Sequence, residues 1–426
     1  MFAKKMAITL GVSLVSLGAV AQNFSINAEF RPRTEYRNGF QRPLTTAQNP
    51  NMIVLNRTRL GFDYAGERLK SRLTLQDSRI WGATELKPNV PLKIFEAWAE
   101  VGFTDKLSLT VGRQALAYDY NRIFATSNWT VDGQSHDLAL LCLNDADLGL
   151  KADLGLAINN PSDALSEPVY NHNTKLYRHL EFLRVESRFA DMLKVSAIML
   201  SEGFQQVDTV PAVTGHIGRY TTGINLELID QDLPLTATLT GYYQFGQNPT
   251  TQKKLSAYLL AARVGFKPAE KWGLYVGSDI YSGTAEGAEV NNTWNKLYGS
   301  NHSHNGSIEY WRTLPTEGLI DIFGGLTTKL GKLTGEACYH IFLSQKPMYS
   351  AGCTGSDLGS EIDLTLKYKL SPFVNFEGGW CTYFCSSNTE LLKNVANQDL
   401  RFAHWAYLTL NVKLELFSHK AQKVAE

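Results

Sequence analysis

Along most of this chain apolar and polar residues alternate with a period of two, the signature of strands with one greasy face and one wet face. Between 95 and 103, Phe95, Ala97, Ala99, Val101 and Phe103 share one parity, while Glu96, Trp98, Glu100 and Gly102 share the other. After the Thr104-Asp105 turn the pattern resumes, with Leu107, Leu109 and Val111 against Ser108, Thr110 and Gly112. Near the end, Leu408, Leu410, Val412, Leu414 and Leu416 alternate with Thr409, Asn411, Lys413 and Glu415, and the run finishes on Phe417. Strand-like stretches fall at 23–37, 51–65, 68–78, 92–103, 106–113, 135–143, 148–158, 173–190, 193–200, 216–230, 233–246, 253–267, 272–282, 318–330, 333–344, 357–370, 373–385 and 402–417. They number about eighteen and mostly span about 9 to 16 residues, which suits tilted strands crossing a bilayer better than the strands of a soluble sandwich.

The connections carry a second signal. Short ones at Gly66-Glu67, Thr104-Asp105, 145–147, Asp191, Gln231-Asp232, 268–270, Gly331 and Ser371-Pro372 alternate with longer ones at 38–50, 79–91, 114–134, 159–172, 201–215, 283–317, 345–356 and 386–401, with a shorter one near 247–252. The sequence therefore predicts an all-β fold, a transmembrane antiparallel β-barrel with short periplasmic turns and long external loops. Both chain ends of the mature barrel would lie in the periplasm.

The beginning of the chain fits that destination. Lys4 and Lys5 precede an apolar run from Met6 to Val20, and Ala19-Val20-Ala21 is a signal-peptidase motif, so 1–21 reads as a cleaved signal peptide. The barrel is then 22–417, followed by a polar tail over 418–426. No later run approaches the roughly 18 apolar residues of a spanning helix. The expected location is the outer membrane of a Gram-negative-type bacterium.

Composition narrows the partners. The 426 residues contain 41 Lys plus Arg and 41 Asp plus Glu, so no net charge points to nucleic acid. Selectivity for charge must come from where the charges sit. Cys142, Cys338, Cys353, Cys381 and Cys385 are an odd number, and their spacing supports neither a disulfide framework nor a metal site. The expected partners are outer-membrane lipid and an anionic saccharide or small carboxylate solute, with no cofactor.

Charge placement is the informative feature. Arg57 and Arg59 oppose Thr58, Leu60, Phe62 and Tyr64, and an arginine facing lipid at mid-membrane costs roughly 2–4 kcal/mol, so both must face inward. The first strand likewise sets Phe24, Ile26, Ala28 and Phe30 against Asn27, Glu29, Arg31, Arg33, Glu35 and Arg37. The third sets Leu69, Leu73 and Leu75 against Arg68, Lys70, Arg72 and Gln76. Inward guanidinium forks match carboxylate or phosphate and make a pore anion-selective. The structural alternative is a set of Arg–carboxylate pairs, with Glu29, Glu35, Asp63, Glu96 and Glu100, that braces the wall.

Enzyme chemistry finds no support. Ser135, His136 and Asp137 are adjacent on an extended chain and cannot converge as a triad. His302-Ser303-His304 offers two imidazoles without a third ligand and reads as a solvated loop. Trp81, Trp98, Trp129 and Trp294 could stack on sugar rings, although interface girdle or loop packing explains most of them.

Several motifs together resemble the alginate export family of outer-membrane barrels. They are Phe30-Arg31-Pro32-Arg33-Thr34-Glu35, Asn56-Arg57-Thr58-Arg59-Leu60-Gly61, Gln76-Asp77-Ser78-Arg79-Ile80-Trp81-Gly82, Glu96-Ala97-Trp98, Gly112-Arg113-Gln114, Tyr118-Asp119 with Arg122, and Asn128-Trp129. The match is dense over 23–140 and thinner beyond, where Gly335-Glu336-Ala337 and Asn305-Gly306 contribute. The resemblance implies an eighteen-stranded monomer whose constriction, drawn from Arg31, Arg33, Arg57, Arg59, Arg113 and Arg122 with Asp119 and Glu96, passes an acidic uronate polymer. Arg72 and Glu35 join these from the arginine-rich strands. A general porin, and a non-conducting structural or adhesive barrel plugged by the 283–317 loop, are the alternatives. Neutralising Arg57 and Arg59 together should move selectivity toward cations.

Overall fold

The computed structural model describes residues 22–83, 92–170, 176–190, 192–206, 213, 215–229, 233–349, 352 and 355–420. The signal peptide expected at 1–21, Cys353 and the tail from 421 onward lie outside the described residues. Eighteen strands form one sheet: β1 (Asn23–Asn38), β2 (Asn51–Ala65), β3 (Leu69–Ile80), β4 (Lys93–Gly102), β5 (Leu107–Gln114), β6 (His136–Asp145), β7 (Leu150–Ile158), β8 (His179–Phe189), β9 (Leu193–Gln206), β10 (Gly215–Leu228), β11 (Leu235–Gln247), β12 (Lys254–Ala269), β13 (Trp272–Tyr281), β14 (Leu319–Leu330), β15 (Leu333–Met348), β16 (Gly355–Lys369), β17 (Val374–Phe384) and β18 (Ala403–His419). Each pairs antiparallel with its neighbours in sequence, and β1 also pairs with β18, from Phe24 opposite His419 to Asn38 opposite His404. The ring is closed, so no strand edge is left to seek a partner.

The alternation sorts residues as expected. Leu69, Leu73, Val111, Leu260, Val264, Val276, Leu366, Leu408 and Leu416 are exposed on the outer surface. Exposed aromatics flank them at both ends, with Phe103, Phe189, Trp272 and Phe373 near the short turns and Tyr220, Tyr243, Phe384 and Phe402 near the long loops. A belt of this kind would aggregate in water and is at home in hydrocarbon between two interfaces.

Two departures have physical causes. The pairing of β3 with β4 shifts register, with Thr74 opposite Glu96 and Leu75 opposite Ile94, which makes Phe95 the extra residue of a bulge. Phe95 therefore turns inward, and Ile94 takes the lipid face. The last strand also runs on to His419, past the expected end at 417, because Phe24 and Ser25 continue its ladder.

Two of the long loops do not stay outside. The segments 115–135 and 282–318 fold into the barrel and hydrogen-bond each other: Ala125 N donates to Tyr298 O (3.0 Å), Tyr298 N to Ile123 O (3.1 Å) and Ser300 N to Asn121 O (2.9 Å). Their Ile123, Phe124, Ile308, Tyr310 and Trp311 are buried against the wall residues Phe182, Leu200, Phe342 and Trp405. His302 and His304 are consequently half-buried inside the barrel, with His302 stacked 3.8 Å from the ring of Trp129.

Candidate functional site

The inward arginines meet the tip of the first inward loop. Arg31 donates to the carbonyls of Asn128 and Thr130, the latter at 2.7 Å, and Arg33 donates to that of Trp129 at 2.7 Å. Arg57 bonds the Asn128 carbonyl at 3.2 Å and the Glu29 carboxylate at 2.8 Å. Arg59 reaches the Asn128 side-chain oxygen at 2.9 Å and lies 3.5 Å over the Phe95 ring that the bulge turned inward. Gln76 and Ser78 complete the cradle by donating to the carbonyls of Asp132 (2.8 Å) and Val131 (3.1 Å). A hydrogen bond from a charged donor contributes about 1.5–3 kcal/mol, so this set fixes the tip firmly.

The base of the same loop is anchored by acids and cations the sequence singled out. Asp119, Tyr120 and Asn121 all adopt positive φ (43°, 59° and 62°), a strained left-handed turn for residues with side chains. Asp119 is held by Arg184 at 2.7 Å and by the Ser196 hydroxyl at 2.7 Å. Arg122 forms a fork on Asp279, at 2.6 and 2.7 Å, and donates to the Tyr281 hydroxyl. The second inward loop is tied down in turn: buried Arg219 and Glu202 pair at 2.7 Å through both oxygens, and Tyr298 donates to Glu202.

The remaining predicted site residues scatter. Glu35 binds Arg33 (2.7 Å), Arg37 (2.8 Å) and the Trp405 indole (3.1 Å). Arg72 faces inward but is paired with Asp63 at 2.6 Å, with Glu96 at 3.8 Å. Arg113 shares the face of exposed Val111, opposite buried Gln114, and pairs with Asp137 at 2.7 Å. It belongs to the outer rim and is set apart from the other arginines. The Ser135-His136-Asp137 run does not converge either, since His136 meets the Tyr177 hydroxyl at 3.0 Å while Asp137 holds Arg113.

Beside the loop tip lies a cavity of about 1110 Å³ that runs along β11 to β18 and β1 toward the short-turn end. Eight basic residues line it (Arg31, Arg33, Arg122, Arg263, Lys329, Lys332, Lys367 and Lys369) against five acids (Asp279, Asp321, Glu336, Asp363 and Glu377). Three of the cations are neutralised, Arg33 by Glu35, Arg122 by Asp279 and Lys367 by Glu377. Arg31, Arg263, Lys329, Lys332 and Lys369 form no ion pair among the described residues, although Arg263 stacks 3.7 Å over Tyr275. Sequence reasoning missed Arg263 and the three lysines, although Arg263 interrupts an otherwise apolar run and could have been found by its parity against Leu260, Ala262 and Val264.

Burial also sets the protonation of the inner loops. It pushes His304 down to about 3, with the neighbouring Arg122 guanidinium adding to the effect, so this imidazole is neutral. Burial and Arg122 likewise lower Lys296 to about 8.

No model of a known protein family matches the chain, and no curated protein matches it. Solved structures do. OccAB1 of Acinetobacter baumannii superposes with a TM-score of 0.63, covering 93% of this chain and 97% of its own at 11% identity. OpdL of Pseudomonas aeruginosa gives 0.62, with 92% and 99% covered at 14% identity, and the outer membrane protein OpdK of the same organism gives 0.60, with 92% and 98% at 13%. The fold is thus the closed eighteen-stranded antiparallel barrel of the Occ and Opd porins. The comparisons support that porin-like barrel and do not support the resemblance to the alginate export family.

Proposed function

We propose that this chain is an outer-membrane channel for small solutes, in a Gram-negative-type bacterium, with a preference for carboxylate-bearing anions such as acidic saccharides. The observation that carries the preference is the set of lumen cations without acidic partners and not spent on the inward loop: Arg263, Lys329, Lys332 and Lys369. In a narrow passage such groups replace part of an anion's hydration, and the nearby Glu336 and Glu377 keep its residence short enough for release. Arg57 and Arg59 act here as loop braces, because their donors are spent on Glu29, Gln76 and Asn128.

Current through single barrels in a planar bilayer, titrated with galacturonate oligomers from the short-turn side, tests this. Concentration-dependent block by the acidic oligomers and none by neutral ones of equal length is the expected result; equal block by both refutes the preference. OpdK has been solved with vanillate, itself a carboxylate, which makes vanillate a useful smaller probe.

A second reading has an observation of its own. The inward loops bury Ile123, Phe124, Ile308 and Trp311 inside the ring, as a plug would. A barrel closed in this way gives no steps of conductance.

A further inference from the structure

Three donors converge in the wall beside the cavity, which Asp363 also lines. Glu361 and Asp363 stand two residues apart on β16 and so share its inner face, and Cys381 on β17 is the register partner of Asp363. One oxygen of each carboxylate and the Cys381 sulfur lie within 4.8 Å of one another, and all three residues are buried. Linear spacing could not show this, because the sulfur comes from the neighbouring strand.

One oxygen of each acid is already engaged. Glu361 Oε1 accepts from Ile308 N at 2.7 Å, and Asp363 Oδ2 accepts from Ser307 N at 3.0 Å. Glu361 Oε2 and Asp363 Oδ1 are buried without a hydrogen-bond partner, which is costly for a carboxylate unless a cation is supplied. No Lys or Arg pairs with either acid among the described residues. The nearest basic side chain is His340, which sits 3.6 Å from Asp363 and is engaged at 2.9 Å with Asp321. Space beside Glu361 is kept open by Gly306, whose φ is +80° and where a Cβ would lie 2.2 Å from Oε2.

We propose that Glu361, Asp363 and Cys381 bind one divalent transition-metal ion, with zinc the class that suits a carboxylate and thiolate donor set. On binding, the Cys381 sulfur forms the bond to the metal and its proton leaves to solvent. The divalent ion offsets the carboxylate charge that no Lys or Arg meets. Because the same carboxylates hold Ser307 and Ile308, it also pins the second inward loop to the wall.

The full-length barrel, folded in detergent and freed of metal by a chelator, is titrated with Co²⁺ and, separately, with Zn²⁺ followed by elemental analysis. One ion per chain and a thiolate-to-cobalt absorption band are expected. C381S should lose the band while keeping the heat-dependent gel shift of a folded barrel, and E361Q should weaken binding by at least about tenfold. C338S, which alters the other buried thiol among the described residues, should leave both unchanged. Failure to take up metal, leaving a proton shared between Glu361 and Asp363, overturns the site. A band that survives in C381S or vanishes in C338S overturns it equally.

Discussion

The guanidinium of Arg33 lies 4.2 Å from the ring centroid of Trp129 and donates 2.7 Å to the carbonyl of the same residue. A wall cation that sequence alone offers to a solute is thus covered by a loop aromatic that sequence alone offers to a sugar. The relationship recurs along the arginine-rich strands, where loop carbonyls take the place an anion would occupy.

Removing the braces should loosen the loop without redirecting charge. R57A leaves Glu29 unpaired beside the loop tip, and breaking a buried pair of this kind costs about 3–5 kcal/mol. In bilayer recordings R57A/R59A should show larger and noisier currents with a reversal potential near that of the unaltered protein. A shift toward cations as large as that of the lumen-lysine variant below would return these residues to the filter.

The selective groups should behave in the opposite way. K329Q/K332Q/K369Q removes three cavity cations that lack acidic partners, and such exposed changes usually alter stability by no more than about 0.5 kcal/mol. The reversal potential in a salt gradient should move toward cations while the urea midpoint stays put. Adding R263Q should move it further.

Arg219 and Glu202 should matter for stability rather than conduction. They form a doubly bonded, fully buried pair that also receives the Tyr298 hydroxyl from the second inward loop. R219A is expected to cost about 3–5 kcal/mol in denaturant unfolding. R219A/E202Q together should cost less, since no bare charge remains.

Acid should release the second loop. His304 is held near 3 in the docked loop by burial and by Arg122, whereas a free histidine titrates near 6.5. The undocked loop therefore binds more protons between those values, and docking is at full strength above about pH 6.5 and weakens as pH falls toward 3. Proteolysis of the 282–318 segment should rise through that window, and H304N should flatten the dependence.

Most of the barrel was legible because lipid imposes a period-two pattern on every strand, and all eighteen stretches appear as strands. Phe95 was misplaced because a bulge reverses parity without leaving a mark in the local pattern. The site was legible only in part. Arg31, Arg33, Arg57 and Arg59 gather as expected, since parity alone sends them inward, but their partners are loop carbonyls, which carry no sequence signal. Arg113 went astray because its alternation ends at the rim, where an outward charge meets water rather than lipid and Asp137 stands opposite.

The reversal potential of the unaltered barrel in a planar bilayer under a tenfold KCl gradient bears most directly on the proposed channel. A measurable conductance that reverses on the chloride side of zero is the expected result. Either a silent barrel or a reversal on the potassium side would contradict a lumen governed by its unpaired arginine and lysines.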